Sequence, residues 1–127
     1  MQTAQKAHVP GNQLAKGVVV RDGEHYAMVV VSSAKHIDRD WLRSQFGDTV
    51  ELASESDLSR VFYDCAPGAV PPVGKAWGLD TYLDEGLVGQ PEVYFEAGDH
   101  EDLVRLSGEA FEALLKDAQR GAYGQTI

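Results

Sequence analysis

The chain has 127 residues, enough for one domain whose core needs neither metal nor disulfide to hold it. Its formal net charge is −9, with acids crowding the region after Trp77, which argues against broad electrostatic attachment to nucleic acid. The lone cysteine, Cys65, excludes an internal disulfide, and no signal peptide or long apolar run is visible, so a soluble cytoplasmic protein is expected.

Taken in chain order, Thr3 to His8 reads as the tail of a helix stopped by Pro10-Gly11. Leu14 to Arg21 is a near-continuous apolar strand, Asp22-Gly23 a turn, and His25 to Ser32 a second strand. The two form a Val-rich hairpin expected at the centre of a sheet and covered on both faces. Asp38 opens a short amphipathic helix carrying Trp41, Leu42 and Phe46, and Gly47 ends it. A brief strand follows at Val50 to Leu52. Ser54 then caps a helix through Val61 and Phe62, with Asp57 as its acidic third residue.

Pro67-Gly68-Ala69-Val70-Pro71-Pro72-Val73-Gly74 is a loop of stiff backbone. Beyond it, Thr81 to Leu83 and Val93 to Ala97 are strands separated by a turn or short helix near Glu85 to Val88. Leu103 to Leu106 is a further strand, and Ser107 opens a last helix with Phe111, Leu114 and Leu115 at helical spacing. The tail from Gly121 to Ile127 is expected to fray. Strands paired first and rejoined after helices imply an α+β fold with a mixed sheet. There is no internal repeat, and one core is expected.

Few residues suggest chemistry by themselves. The Gly/Pro loop presents main-chain N–H and C=O groups in a fixed array suited to a small polar ligand, although a plain turn between strands has the same composition. Lys16, entering a Val-rich strand, either places its ammonium at the mouth of an apolar pocket or snorkels to water. Cys65 reads either as a small residue packed beside the loop or, being close to Gly68, as a reactive thiol near a pocket, for which no base is evident. His8, His25 and His36 show no ligand spacing, no metal site is readable, and the pairs Asp84-Glu85 and Glu101-Asp102 read as solvated faces. The basic residues Lys16, Arg21, Lys35, Arg39, Arg43, Arg60 and Lys75 fall in the first half, compatible with a local positive patch.

The ordered set of Ala15-Lys16 before a Val-rich strand, Gly68 to Pro72 as Gly-x-x-x-Pro, and Ala97-Gly98-Asp99-His100 resembles the YbaK/prolyl-tRNA synthetase-associated domain family. These are trans-editing aminoacyl-tRNA deacylases, and the resemblance runs from about Thr3 to Leu115. It implies a curled, barrel-like mixed sheet surrounded by helices, and hydrolysis of the ester in a tRNA mischarged with a small amino acid. No cofactor is implied, the partner is the aminoacylated acceptor end, and neither DNA nor a membrane is expected as a partner. By the same resemblance Lys16 and Gly68 are the catalytic candidates, while Ala69, Val70, Pro71, Gly98 and His100 border the substrate. His100 has a second reading as an exposed histidine in an acidic turn. Family members usually carry an additional N-terminal helix and strand that this sequence does not display. A second copy or a partner domain is one way to cover the edge left open. The alternative function is a noncatalytic module of the same fold, binding a small ligand or a protein, for example in signalling.

Overall fold

The computed structural model describes residues 2–4, 10–23, 25–54, 79–96 and 103–126. Strand β1 is Gln2–Ala4, and the central hairpin is β2 (Ala15–Asp22) with β3 (His25–Ser32). The hairpin strands pair antiparallel from Ala15 opposite Ser32 to Asp22 opposite His25. Gly23 closes the hairpin at φ 65°, a left-handed conformation that a side chain would disfavour.

After β4 (Lys35–Ile37) come helix α1 (Arg39–Phe46), β5 (Glu51–Leu52), β6 (Asp80–Asp84), β7 (Glu92–Glu96), β8 (Leu103–Ser107), helix α2 (Gly108–Leu114), β9 (Gln119–Gly121) and β10 (Gly124–Thr126). The main sheet has the order β5-β2-β3-β6-β9, with β3–β6 and β6–β9 parallel and the other pairs antiparallel. A second sheet, β1-β8-β7, is antiparallel throughout, and β10 pairs with β4 in a ribbon. A parallel bridge from Leu14 to Tyr94 links the strand edges of the two larger sheets. The mixed-sheet α+β expectation is met.

Alternation along the strands sorts side chains onto two faces. Ala15, Val19, Met28, Val30 and Leu83 face one side, where Val93, Phe95, Phe111 and Leu115 pack against them. Val20, Ala27, Val29, Val31 and Tyr82 face the other, under Leu42, Trp41 and Phe46 of α1 and under Tyr123. The one expected core is therefore split by the sheet into two layers. Consecutive apolar residues in β3 make this possible, since every residue from Ala27 to Ser32 is buried.

Helix α1 is held at both ends and along its inner face. The Asp38 carboxylate accepts the N–H groups of Asp40 at 3.0 Å and Trp41 at 3.3 Å, a cap worth about 1 kcal/mol. Gly47 ends the helix at φ 108°, its N–H donating to the Arg43 carbonyl at 2.8 Å. Trp41 lies over Tyr123 with ring centroids 4.2 Å apart and meets Tyr82 edge-on at 5.6 Å. Each such ring contact adds about 0.5–1.5 kcal/mol beyond area burial.

Three expectations are corrected. The Thr3–His8 stretch starts in a strand: β1 pairs with β8, because an unpaired edge there offers backbone hydrogen bonds that override local helical preference. Residues 5–9 lie outside the described set. The C-terminal segment is not frayed, for β9 and β10 are both paired and Tyr123 is buried between them. Asp84 is not on a solvated face; it is 0% exposed, and only its neighbour Glu85 reaches solvent. Its Oδ1 accepts the N–H groups of Tyr123 and Gly124, both at 2.9 Å. Its Oδ2 accepts from the Gly86 N–H at 3.0 Å and the Lys35 ammonium at 3.1 Å. Four donors from three elements replace the water that a buried carboxylate loses. The helix expected from Ser54 through Phe62, the Gly/Pro loop and Cys65 fall outside the described residues.

Candidate functional site

Lys16 lies opposite Val31 in the central hairpin, and the even positions Lys16, Val18 and Val20 share the face that α1 covers. Val20 is buried, Val18 is half-buried, and Lys16 carries the same row of side chains out beyond the helix. Register thus turns an apolar strand face into one that ends in an ammonium. The place where it ends is a cleft of about 350 Å³ between β2, β4, α1 and β5.

Among the described residues the cleft is apolar on its inner side, with Val18, Leu42 and Val50. It carries Lys16, His36, Arg39 and Arg43 around them. Leu52, 59% exposed, forms an apolar lip on edge strand β5. The acid among these lining residues, Glu51, is engaged by Arg21 at 3.2 Å. Lys16 and Arg39 have no hydrogen-bond or ion-pair partner among the described residues, and Arg43 has only a 3.9 Å approach to a largely exposed Asp40. In a chain with net charge −9, this is a local concentration of positive charge over apolar walls. Such a place draws an anion or stabilises an oxygen that becomes negative during reaction.

The basic residues of the first half accordingly divide. Arg21 and Lys35 are held in ion pairs with Glu51 and Asp84, whereas Lys16, Arg39 and Arg43 converge on the cleft. Arg60 and Lys75 lie outside the described residues. Of the candidate site residues, Lys16 is placed in this cleft, while Gly68, Ala69, Val70, Pro71, Gly98 and His100 lie outside the described residues. His36 is exposed and also lines the cleft. The contribution of Arg39 and Arg43 to the site was visible in the sequence only as two arginines four apart in an expected helix.

A second cleft, of about 290 Å³, lies between β6 and the end of α2 and carries Asp80 and Asp117. Its acidic lining makes it a poor site for the ligands that the first cleft suits. No group of three or more potential metal ligands occurs among the described residues, and no described helix is long and apolar enough to cross a membrane.

Comparison with known proteins identifies the setting of this cleft. A family model for an aminoacyl-tRNA editing domain matches residues 1–114. Among solved structures, a candidate trans-editing enzyme for prolyl tRNA synthetase is 27% identical. Its match covers 94% of this chain and 74% of the other, with a TM-score of 0.80. A structure from work on grafting epitope backbones onto scaffold proteins is also 27% identical over 96% of this chain and 80% of its own, with a TM-score of 0.80. A signal-transduction candidate from Marinobacter aquaeolei VT8 shares the fold at 17% identity and a TM-score of 0.81. The match covers 97% of this chain and 27% of that longer one. A search of curated proteins returned no match.

Proposed function

We propose that this chain, which belongs to the aminoacyl-tRNA editing domain family, is a hydrolase that removes a wrongly attached small amino acid from the 3′ end of a tRNA. The observation that carries this reading is the ammonium of Lys16, without a partner among the described residues, at the rim of an apolar cleft and on the strand position that resembles the family's lysine.

The reaction needs little protein chemistry beyond charge and position. Water adds to the ester carbonyl carbon, the carbonyl oxygen takes up negative charge, and the C–O bond to the ribose breaks as the ribose oxygen gains a proton. Free amino acid and deacylated tRNA result. A cation near the developing oxyanion lowers the barrier most where water is scarce, which suits Lys16 above Val18 and Leu42. For Gly68, Ala69, Val70 and Pro71 the reading assigns backbone contacts to the aminoacyl group and the attacking water. Fixed main-chain N–H groups can supply a second stabilising element there, and a side-chain nucleophile is then unnecessary. Gly98 and His100 would border the same group. Discrimination follows a second-sieve logic, in which a pocket of limited size accepts the errors that an activation site passes.

The test is a deacylation panel with tRNAs carrying Ala, Ser, Thr, Cys and Pro, run with wild type and Lys16→Ala. Release of at least one small amino acid by wild type is expected, with kcat/KM lowered at least ~100-fold in a variant that still folds. Hydrolysis of none of the five, or a folded Lys16→Ala variant working at the wild-type rate, overturns the reading.

A further inference from the structure

Arg39 is placed where it does not help the fold, and Arg43, although in the favourable last turn of α1, is bound to little. Arg39 is the first residue of α1, at the positive end of the helix dipole, where a cation is disfavoured. Arg43 is four residues on, so the two like charges stand on one helix face. Asp38 forms no ion pair with Arg39; its Oδ1 accepts the N–H groups of Asp40 and Trp41. Arg39 has no partner among the described residues, and the side chain of Arg43 is 56% exposed. Both line the cleft that holds Lys16.

We propose that Arg39 and Arg43 form a phosphate rail, each neutralising one of the two phosphodiesters of the terminal CCA of a tRNA, so that the aminoacylated ribose comes to rest beside Lys16. The assignment rests on the editing function proposed above, and it gives the two arginines a positioning role distinct from that of Lys16. Side chains four apart on a helix start about 5–6 Å from each other and can follow successive phosphates of a single strand. Guanidinium groups suit this task because they bind phosphate oxygens with paired N–H donors. An anion bound there relieves both the repulsion between the arginines and the unfavourable placement of Arg39. Leu52, at the lip of the same cleft, gives a terminal base an apolar surface to lie on.

Binding of the uncharged trinucleotide CpCpA, followed by titration on the intact protein over a salt series, tests the rail without requiring hydrolysis. Adenosine and AMP serve as comparison ligands, and Lys116→Gln, an exposed charge at the end of α2, serves as the charge-matched control. Two single-strand contacts predict a slope of log K against log salt of about −1.4, falling to about −0.7 in Arg39→Gln or Arg43→Gln. Each variant should bind CpCpA about five- to tenfold more weakly while adenosine binding stays unchanged. Arg43→Lys should recover part of the loss.

The rail is overturned if wild type does not bind CpCpA, or if neither arginine variant changes affinity or slope. It is equally overturned if Lys116→Gln loses as much as they do, or if AMP binds as tightly as the trinucleotide, which would mark a free-nucleotide site. Failure of the editing function has a different signature. The trinucleotide then binds through the arginines as described, but no charged tRNA in the panel is hydrolysed.

Discussion

Replacing Asp84 by Ala removes the acceptor for four donors at once: the N–H groups of Tyr123, Gly124 and Gly86 and the ammonium of Lys35. Gly124, Gly86 and Lys35 are partly exposed, so water can serve them, whereas the Tyr123 N–H lies in a buried position. One stranded buried N–H costs about 1–3 kcal/mol. Losing the three other hydrogen bonds, at about 0.5–1 kcal/mol each where water takes over, brings the total to about 3–5 kcal/mol. For a domain of this size a loss of 1 kcal/mol lowers Tm by roughly 3–5 °C, so Asp84→Ala should melt about 10–20 °C below wild type. Asp84→Asn keeps one carbonyl oxygen for Tyr123 and Gly124 but turns an NH2 group toward two donors, so about half of that loss is expected. Lys35→Met should cost least, since three backbone N–H groups still satisfy the carboxylate.

The damage should also be local. Hydrogen exchange should accelerate first at Tyr123 and Gly124 and then across the β4–β10 ribbon, whose β4 residues His36 and Ile37 form a wall of the cleft. Thermal melts of the three variants and exchange at those amides are the assays. A Tm for Asp84→Ala within about 3 °C of wild type, or Lys35→Met proving the most damaging of the three, would refute this account of the buried carboxylate.

Gly108→Ala should destabilise the domain by at least about 2 kcal/mol, because the added Cβ would run into the backbone carbonyl oxygen of Gln90; a denaturant midpoint unchanged from wild type would contradict it. Burial, with the nearby Tyr82 and Asp84, raises the pKa of Tyr123 above the ordinary 10.0. An unfolded tyrosine loses its proton near pH 10 while folded Tyr123 keeps it. Above that pH the folded state therefore binds more protons, and stability falls as pH rises. Tyr123→Phe should flatten this fall, and equal slopes in the two proteins would show that Tyr123 is not its source. Gly68→Ala should abolish deacylation with the fold retained, on the proposal that the ester approaches the main chain there; wild-type hydrolysis by the variant would return that loop to an ordinary turn.

Elements that carry their own local signal were legible in the sequence. The central hairpin follows from two Val-rich runs around Asp22-Gly23. Helix α1 follows from Asp38, its apolar spacing and Gly47, since each of these acts within a few residues of itself. Lys16 was singled out as a candidate only through the ordered resemblance, because a lysine entering a strand has no intrinsic sign of function; what the structure adds is its place in the cleft. The C-terminal segment was misread for a physical reason. β9 and β10 are three residues each, too short for periodicity to speak, and the carboxylate that fixes them lies about 40 positions earlier. Asp84 looked solvated for the same reason, because its partners Lys35, Tyr123 and Gly124 are neighbours only in the folded chain. The cleft combines residues from four elements, so its positive charge could be anticipated but its membership could not.

The two-layered burial of β3 also has a consequence on the ribosome. The face bearing Val29 and Val31 can be covered soon after it emerges, because α1 begins only seven residues after the strand ends. The face bearing Met28 and Val30 is partly covered by Val93 and Phe95 and completed only by Phe111 and Leu115, roughly 80 residues later, or about 4–16 s at ordinary synthesis rates. Throughout that interval the run Ala27-Met28-Val29-Val30-Val31, without a charge or proline to interrupt it, is a half-clothed strand with strong tendency to pair with another like it. Yield in a cell would then depend less on the stability of the finished domain than on what shelters that one face until the last helix arrives.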